Sequence, residues 1–92
     1  MKRFKDKNAE AIFSGKTVKK LPHDVQRRAL LRLNRIVTTA TLEDLSQPPS
    51  HRLKALQGDR KGQHSIRIND QYRVCFVWDN GTAWEIEITD YH

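Results

Sequence analysis

The sequence has few of the residues that build disulfides, metal sites or membrane spans. It has one cysteine, Cys75, so no internal disulfide can form, as is typical of proteins in a reducing compartment. Its histidines are far apart along the chain and no cysteine pair accompanies them, so we expect no metal. The few glycines form no phosphate-binding loop, so we expect no cofactor. No run of about 20 apolar residues is present, and we therefore expect a cytoplasmic protein that does not enter a membrane.

Acidic residues are outnumbered by basic ones, and this imbalance favours an anionic partner. The chain has 17 lysines and arginines against 11 aspartates and glutamates, a formal net charge of +6. A nucleic acid and an acidic protein both fit such a charge, while the alternative is that it serves only solubility. With 92 residues, we expect one domain that covers residues 1–92.

Helical periodicity occupies the first half of the sequence and strand alternation the second half. The pattern predicts helices at Asn8–Ser14, ended by Gly15, and at His23–Thr39, with one more helical turn after Thr41. The predicted strands are Lys2–Phe4, Arg52–Gln57, Gln63–Ile68, Tyr72–Trp78 and Thr82–Tyr91. We therefore predict an α+β domain in which two or three N-terminal helices pack on a mainly antiparallel sheet of four or five strands.

The longest predicted helix has an apolar face and an arginine face. At 100° per residue, the side chains of one stripe are Val25, Ala29, Leu30, Leu33, Ile36, Val37 and Ala40. The other side carries Leu31 among Arg27, Arg28, Arg32 and Arg35. Such a face is ordinarily a solvated surface, although a partner surface explains Leu31 better.

Alternation along the strands predicts a cationic face on the sheet. Side chains on the side away from the helices should be Arg52, Lys54, Arg67, Arg73 and Tyr91, with Glu85 and Glu87. The side toward the helices should carry Trp84, Ile86 and Ile88 from the last strand. The arginines could simply pair with the glutamates across strands, but four cations against two carboxylates leave surplus charge that suits phosphate groups.

The residues with acid–base chemistry favour metal-free cleavage of RNA. In that reaction a ribose 2′-hydroxyl attacks the adjacent phosphate, which requires a base, an acid and cations for the phosphorane charge. Tyr91 and His92 could transfer protons, while Lys54, Arg67 and Arg73 could hold the charge. The alternative is that Tyr91 is an ordinary amphipathic strand-end residue and His92 a chain terminus without a role.

Several segments together resemble the HigB branch of the RelE/ParE-type bacterial toxins. The similarity covers nearly the whole chain and includes KRFKDKNAEAIFSGK, the middle helix, the double proline, LKALQGDRKGQHSIRINDQYRVCFVWDNG and WEIEITDYH. The resemblance implies a RelE-like α+β fold and the toxin half of a type II toxin–antitoxin module. It also implies a metal-independent endoribonuclease that cuts mRNA in the ribosomal A site. A HigA-like helix-turn-helix antitoxin is then expected to neutralise the toxin, and the complex would repress the operon through operator DNA.

The resemblance also suggests roles for individual residues. The expected catalytic residues are Lys54, Arg73, Asp90, Tyr91 and His92, with Asp90 orienting His92 or a nearby cation. The expected RNA contacts are Arg52, Arg60, Lys61 and Arg67, and the expected antitoxin contacts are Arg28, Leu31 and Arg35.

The chain departs from the family pattern at two positions. Lys54 and Gln57 stand where HigB members have a histidine and a lysine. Because lysine is a poor base at neutral pH, proton transfer should fall more heavily on Tyr91 and His92. Two other functions remain possible from sequence: a non-catalytic nucleic-acid-binding module and a gyrase inhibitor of the ParE type.

Overall fold

The computed structural model describes residues 1–90, in which three helices precede a four-stranded sheet. The helices are α1 (Lys7–Phe13), α2 (His23–Thr38) and α3 (Leu42–Leu45). The strands are β1 (Lys54–Ala55), β2 (Gln63–Arg67), β3 (Tyr72–Asp79) and β4 (Thr82–Asp90), and short 3₁₀ turns lie at Pro49–His51 and Gly58–Arg60. The sheet is antiparallel in the order β1-β2-β3-β4, which confirms the predicted α+β fold.

The segment before α1 covers the free edge of β4. The predicted opening strand forms one parallel bridge, between Phe4 and Ile86, and backbone hydrogen bonds flank it on both sides. Asp6 then begins α1, since its Oδ1 accepts a hydrogen bond from the Asn8 N–H at 2.9 Å. The edge of the sheet is thus protected by the chain itself.

The apolar stripe of α2 packs on one face of the sheet. Buried members of the core include Val25, Ala29, Leu33, Ile36, Leu45, Ile66, Ile68, Val74, Phe76 and Ile86. Gln26, which is also buried, hydrogen bonds to the backbone of Val18 and Leu21 and so holds the loop between α1 and α2. Ala40 was expected in this stripe, but it lies beyond the helix and is exposed.

The predicted strand at Arg52–Gln57 is shorter than expected. Residues Pro49–His51 form a 3₁₀ turn, and Arg52 follows with a left-handed backbone at φ 47°. Only Lys54 and Ala55 pair with β2, opposite Ser65 and His64. Strand alternation therefore assigns Lys54 to one face of the sheet. It does not apply to Arg52, which lies outside the strand and has an exposed side chain.

A β-bulge overturns the expected position of Trp84. Glu85 takes a left-handed backbone at φ 53°, and the register shifts by one residue there, so that Cys75 is opposite Glu87 while Val77 is opposite Trp84. Ala83 therefore takes the core position, with its side chain fully buried. The prediction that Trp84 faces the helices is wrong, because the extra residue in β4 reverses the alternation before Ile86.

Candidate active site

One row of side chains crosses the whole sheet on the face away from the helices, called here the outer face. In register, Lys54 lies opposite Ser65, Ser65 opposite Cys75, and Cys75 opposite Glu87. Opposite residues have Cβ atoms about 4.5–5.5 Å apart, so these side chains form a continuous band. Ser65 is fully buried and Cys75 is 3% exposed, so this middle part of the outer face is covered.

Arg73 lies beside that row and is held by it. Its Nη1 donates a hydrogen bond to the Ser65 Oγ at 2.9 Å, and Lys54 lies opposite Ser65 in register. Arg67 is the cross-strand partner of Arg73. Two like charges directly opposite one another are unfavourable and favour an anion between or above them. The structure therefore brings the predicted cations Lys54, Arg67 and Arg73 together on neighbouring strands.

Arg67 is anchored at the turn between β2 and β3. Its Nη2 pairs with the Asp70 carboxylate, and its side chain is 27% exposed. Its backbone carbonyl accepts a hydrogen bond from the Arg32 Nε at 3.0 Å. Burial and the charges of Arg28 and Arg67 lower the pKa of Arg32 from its ordinary value. Arg32, which the sequence placed on a solvated helix face, is thus half-buried against the end of β2.

Arg60 spans the outer face from the turn at Gly58–Arg60. Its Nη1 donates to the Gln63 Oε1 and to the Glu87 Oε2, both at 3.1 Å. Lys5 also contacts Glu87 Oε2, at 3.4 Å. The hydrogen bond to Glu87 raises the pKa of Arg60, so the guanidinium stays charged. Of the predicted RNA contacts, Arg60 is therefore half-buried, while Lys61 next to it is exposed.

Asp90 lies at the end of β4, one residue beyond the partner of Arg73. In register it is opposite Tyr72, whose side chain packs against the core, whereas Thr89 is opposite Arg73. The Asp90 Oδ2 accepts a hydrogen bond from the Gln71 Nε2 at 3.0 Å. Asp90 therefore lies at the rim of the site and not on its outer face. The predicted proton-transfer residues Tyr91 and His92 lie outside the described residues.

The described part of the chain contains no cluster of side chains that could hold a metal ion. Within residues 1–90, no group of three or more His, Cys, Asp and Glu side chains is placed to hold a metal ion. In the same residues, no helix has the length and apolar character needed to cross a bilayer.

Comparison with known proteins identifies the family of the chain. A family model described as the RelE-like toxin of the type II toxin–antitoxin system HigB matches residues 2–92. The chain belongs to the HigB-like toxin family. It is 40% identical to Toxin HigB-1 of Vibrio cholerae over 82 residues, which is 87% of this chain and 85% of that protein. It is 30% identical to Endoribonuclease HigB of Proteus vulgaris over 92 residues, which is 100% of this chain and 99% of that protein.

A HigB-like toxin of a type II system has an antitoxin partner, and the residues that the sequence analysis expected to contact it lie on α2. Leu31 is 58% exposed, and Arg28 beside it is exposed as well. Arg35 is different, because its Nη2 donates to the backbone carbonyls of Asp44 and Gln47 at 3.0 and 2.9 Å. Arg35 thus ties α2 to α3 and to the loop that follows α3, a role that the helical pattern did not predict.

Sequence reasoning missed the positions of two residues at the candidate site. Ser65 was not among the candidate residues, but it is buried and accepts a hydrogen bond from Arg73. Pairing of Glu87 with Arg67 or Arg73 was only the alternative interpretation, and Glu87 in fact accepts a hydrogen bond from Arg60 and contacts Lys5. The turn at Asn69–Gln71 already fixed the register of β2 and β3, so the closeness of Ser65 and Arg73 could have been found from the sequence.

Proposed function

We propose that this protein is a metal-independent endoribonuclease that cuts mRNA in the A site of translating ribosomes. The observation that carries the proposal is the group formed by Lys54, Ser65 and Arg73, in which a buried hydroxyl holds an arginine beside a lysine. The relative from Proteus vulgaris is named as an endoribonuclease and aligns with the whole of this chain. With such a substrate the protein would act in the cytoplasm, where ribosomes are found.

The proposed reaction is transfer of a phosphodiester within the RNA strand. The 2′-oxygen of a ribose forms a bond to the adjacent phosphorus, and the bond from phosphorus to the 5′-oxygen of the next nucleotide breaks. A base takes the proton of the 2′-hydroxyl, and an acid gives a proton to the leaving 5′-oxygen. The products are a 2′,3′-cyclic phosphate and a 5′-hydroxyl, so the reaction itself consumes no water and no oxidant.

The cations of the outer face would stabilise the charge that builds up on the phosphate. Arg73 presents a planar guanidinium that can bind two phosphate oxygens at once, and Ser65 limits its rotation. Lys54 is exposed on the neighbouring strand and can act as a point charge. Arg52, Arg60, Lys61 and Arg67 would contact the RNA backbone around this centre.

Proton transfer would fall to Tyr91 and His92, which follow Asp90 in the sequence. Histidine ordinarily titrates near pH 6.5, close to the pH of the cell, whereas tyrosine needs nearby cations to lower its pKa. Asp90 would orient His92 or a neighbouring cation. The ribosome would align the mRNA, and such alignment contributes several kcal/mol to a reaction with few strong catalytic groups.

The antitoxin would be a HigA-like helix-turn-helix protein that docks on the exposed side of α2. Leu31 supplies an apolar contact and Arg28 a charge, while Arg35 would contribute mainly by keeping the surface in place. The same complex would bind operator DNA through the antitoxin and repress the operon.

Addition of purified protein to a translating extract tests the activity. We expect mRNA cuts at fixed positions within codons, and we expect Tyr91→Phe and Arg73→Ala to weaken them strongly. The absence of codon-positioned cuts by the unaltered protein would contradict the proposal. In expressing cells, DNA damage with intact mRNA would instead indicate gyrase inhibition.

A further inference from the structure

A second basic surface lies at the N-terminal end of the chain, beside the covered edge of β4. Six residues line a groove of about 430 Å³, called here the N-terminal groove: Lys2, Arg3, Phe4, Lys5, Lys7 and Glu10. Four of them are cationic and one is acidic, so the lining has a formal charge of 4 − 1 = +3. Phe4 gives the groove an apolar part, and it packs on Phe13 with ring centroids 5.3 Å apart.

Most of this charge is available to a ligand. Lys2 and Lys7 are exposed, and within residues 1–90 no carboxylate forms a salt bridge with either ammonium group. Arg3 donates to the Val37 carbonyl at 3.3 Å, a neutral partner that leaves its charge in place. The Glu85 Oε1 accepts a hydrogen bond from the backbone N–H of Lys2 and not from the Lys2 ammonium group.

The N-terminal groove is continuous with the outer face of the sheet. Lys5 lines the groove and also contacts Glu87, which is bound by Arg60 on the outer face. The Lys5 side chain remains 56% exposed. Positive charge therefore extends from the centre of the outer face through Arg60 and Lys5 to Lys2 and Lys7. A chain of phosphates is the ligand that matches such an extended row of cations.

Trp84 does not line the groove but contacts one of its residues, Arg3. The bulge at Glu85 turns it to the same side as Val77, and the Arg3 guanidinium lies over its ring, 5.8 Å from the centroid. Arginine and tryptophan side chains in this arrangement are common where single-stranded RNA binds, because bases stack on either plane.

We propose that the N-terminal groove binds the sugar–phosphate backbone of RNA outside the nucleotides that are cleaved. This inference rests on the proposed ribonuclease function, because it extends the RNA-binding surface of that site. Because the groove continues from the outer face through Lys5, Glu87 and Arg60, we assign its phosphates to the mRNA strand; ribosomal RNA shares this chemistry and is an outcome of the test. The groove would strengthen binding without taking part in the reaction.

The salt dependence of RNA binding tests the proposal. Lys2→Gln with Lys7→Gln removes two charges from the groove, and Lys16→Gln with Lys19→Gln removes two exposed charges that do not line it. Affinity is measured on RNA that carries 2′-O-methyl groups and cannot be cleaved. Each phosphate contact to a single strand contributes about 0.7 to the slope of log Kd against log salt concentration. The slope of the groove variant, which lacks two such contacts, should therefore be smaller by about 1.4. The control pair should lose little.

The form of the RNA distinguishes the two sources. A single-stranded oligonucleotide, a stable RNA hairpin and vacant ribosomes are each used as the ligand. Weaker binding of the single strand by the groove variant supports the proposal, whereas a loss confined to the hairpin and the ribosomes would assign the groove to ribosomal RNA and overturn it. In a Trp78→Phe background Trp84 is the only tryptophan, and its fluorescence should change when RNA fills the groove.

Each remaining outcome overturns the proposal. Equal losses of RNA affinity in the groove variant and the control variant would show that RNA binding depends only on the net charge of the protein. Unchanged RNA binding with weaker antitoxin binding would make the groove a protein-docking surface. If Lys54→Ala and Arg73→Ala abolish cleavage while the groove variant binds normally, the proposed function stands and the groove is excluded. If the unaltered protein binds no RNA, both proposals fail.

Discussion

The carboxylate of Asp6 joins the start of α1 to the last strand, since its Oδ2 accepts a hydrogen bond from the Ile88 N–H at 3.1 Å. Its other oxygen caps α1 through the Asn8 N–H. Ile88 lies two residues before Asp90 in β4, which is the last strand of the sheet. Within residues 1–90 no further strand pairs with the Ile88 N–H. One side chain therefore fixes both the helix and the strand that leads to the proposed catalytic residues.

Replacement of Asp6 should destabilise the protein and loosen the end of β4. Asp6→Ala removes a helix cap and leaves the Ile88 N–H unsatisfied, which together should cost about 2–4 kcal/mol in the free energy of unfolding. Asp6→Asn retains one acceptor oxygen and should cost less. Urea denaturation measures both, with Asp59→Ala as an exposed control. A change of less than about 0.5 kcal/mol for Asp6→Ala would show that this bridge does not matter.

Ser65 should act through Arg73. Ser65→Ala removes the Oγ that holds the guanidinium, so we expect about tenfold slower mRNA cleavage, whereas Arg73→Ala should cost about 10²–10³-fold. Cys75→Ala is the matched control, because Cys75 lies next to Ser65 in the same buried row. Cleavage rates are compared at equal folded fraction. Equal losses for Ser65→Ala and Cys75→Ala would indicate a packing effect and not a positioning effect.

The sequence predicts the architecture well where one period dominates. Helix α2 has a single apolar stripe, and the turns at Asn69–Gln71 and Asp79–Gly81 determine the register of the central strands. Prediction fails where one residue changes the geometry. The left-handed backbone of Glu85 reverses the face of Trp84, and the left-handed Arg52 shortens β1, although neither position carries the glycine that usually signals such a turn.

The sequence predicts which charged residues lie together at the candidate site, but it does not predict the hydrogen bonds that hold them. Strand alternation brings Lys54, Arg67 and Arg73 to one face, because it depends only on spacing. The bonds from Arg73 to Ser65 and from Arg35 to the backbone depend on rotamers and on how loops fold, which spacing does not encode. Whether Tyr91 and His92 complete the site stays a prediction.

The buried His51 should make the protein less stable in mild acid. Its ring is 1% exposed and its Nδ1 donates to the Leu45 carbonyl at 3.0 Å. Burial lowers the pKa of His51; the hydrogen bond to the Leu45 carbonyl opposes this shift, and the charges of Arg32 and Arg35 add to it, so the pKa remains below its ordinary value. The unfolded chain, with an ordinary pKa near ~6.5, therefore binds the proton more readily than the folded protein.

The free energy of unfolding should accordingly fall as the pH drops below about 6.5 and level off below the folded pKa. Denaturation curves at several pH values measure this, and His51→Asn provides the control because its amide N–H can replace Nδ1 without titrating in this range. The same fall in both proteins between pH 7.5 and 5.5 would assign the effect to other groups.

Glu87 should restrain the cations of the outer face. Its carboxylate is 16% exposed and contacts both Arg60 and Lys5. Glu87→Gln removes a negative charge and releases both cations, so RNA affinity should increase and its salt slope should steepen, while stability falls by about 1 kcal/mol. Glu43→Gln, at an exposed position that does not line the N-terminal groove, gives the same change in net charge; no salt bridge of Glu43 is present within residues 1–90, and the variant serves as the control. Equal RNA affinity in the two variants would contradict this role.

Antitoxin binding should depend on Leu31 more than on Arg35. Leu31→Ala and Arg28→Glu alter exposed side chains, so calorimetry with the co-encoded antitoxin should show weaker binding with unchanged toxin stability. Arg35→Ala breaks two backbone contacts and should lower stability instead. Unchanged affinity in Leu31→Ala and Arg28→Glu would show that the antitoxin docks elsewhere.

The account depends most on cleavage by the outer face, and a primer-extension map of mRNA from expressing cells tests this directly. The unaltered protein, Lys54→Ala, Arg73→Ala and a chain that lacks His92 are compared on the same transcript. We predict codon-positioned cuts by the unaltered protein that are strongly reduced in all three variants. Intact mRNA with the unaltered protein, or undiminished cuts in Lys54→Ala and Arg73→Ala, would contradict the account.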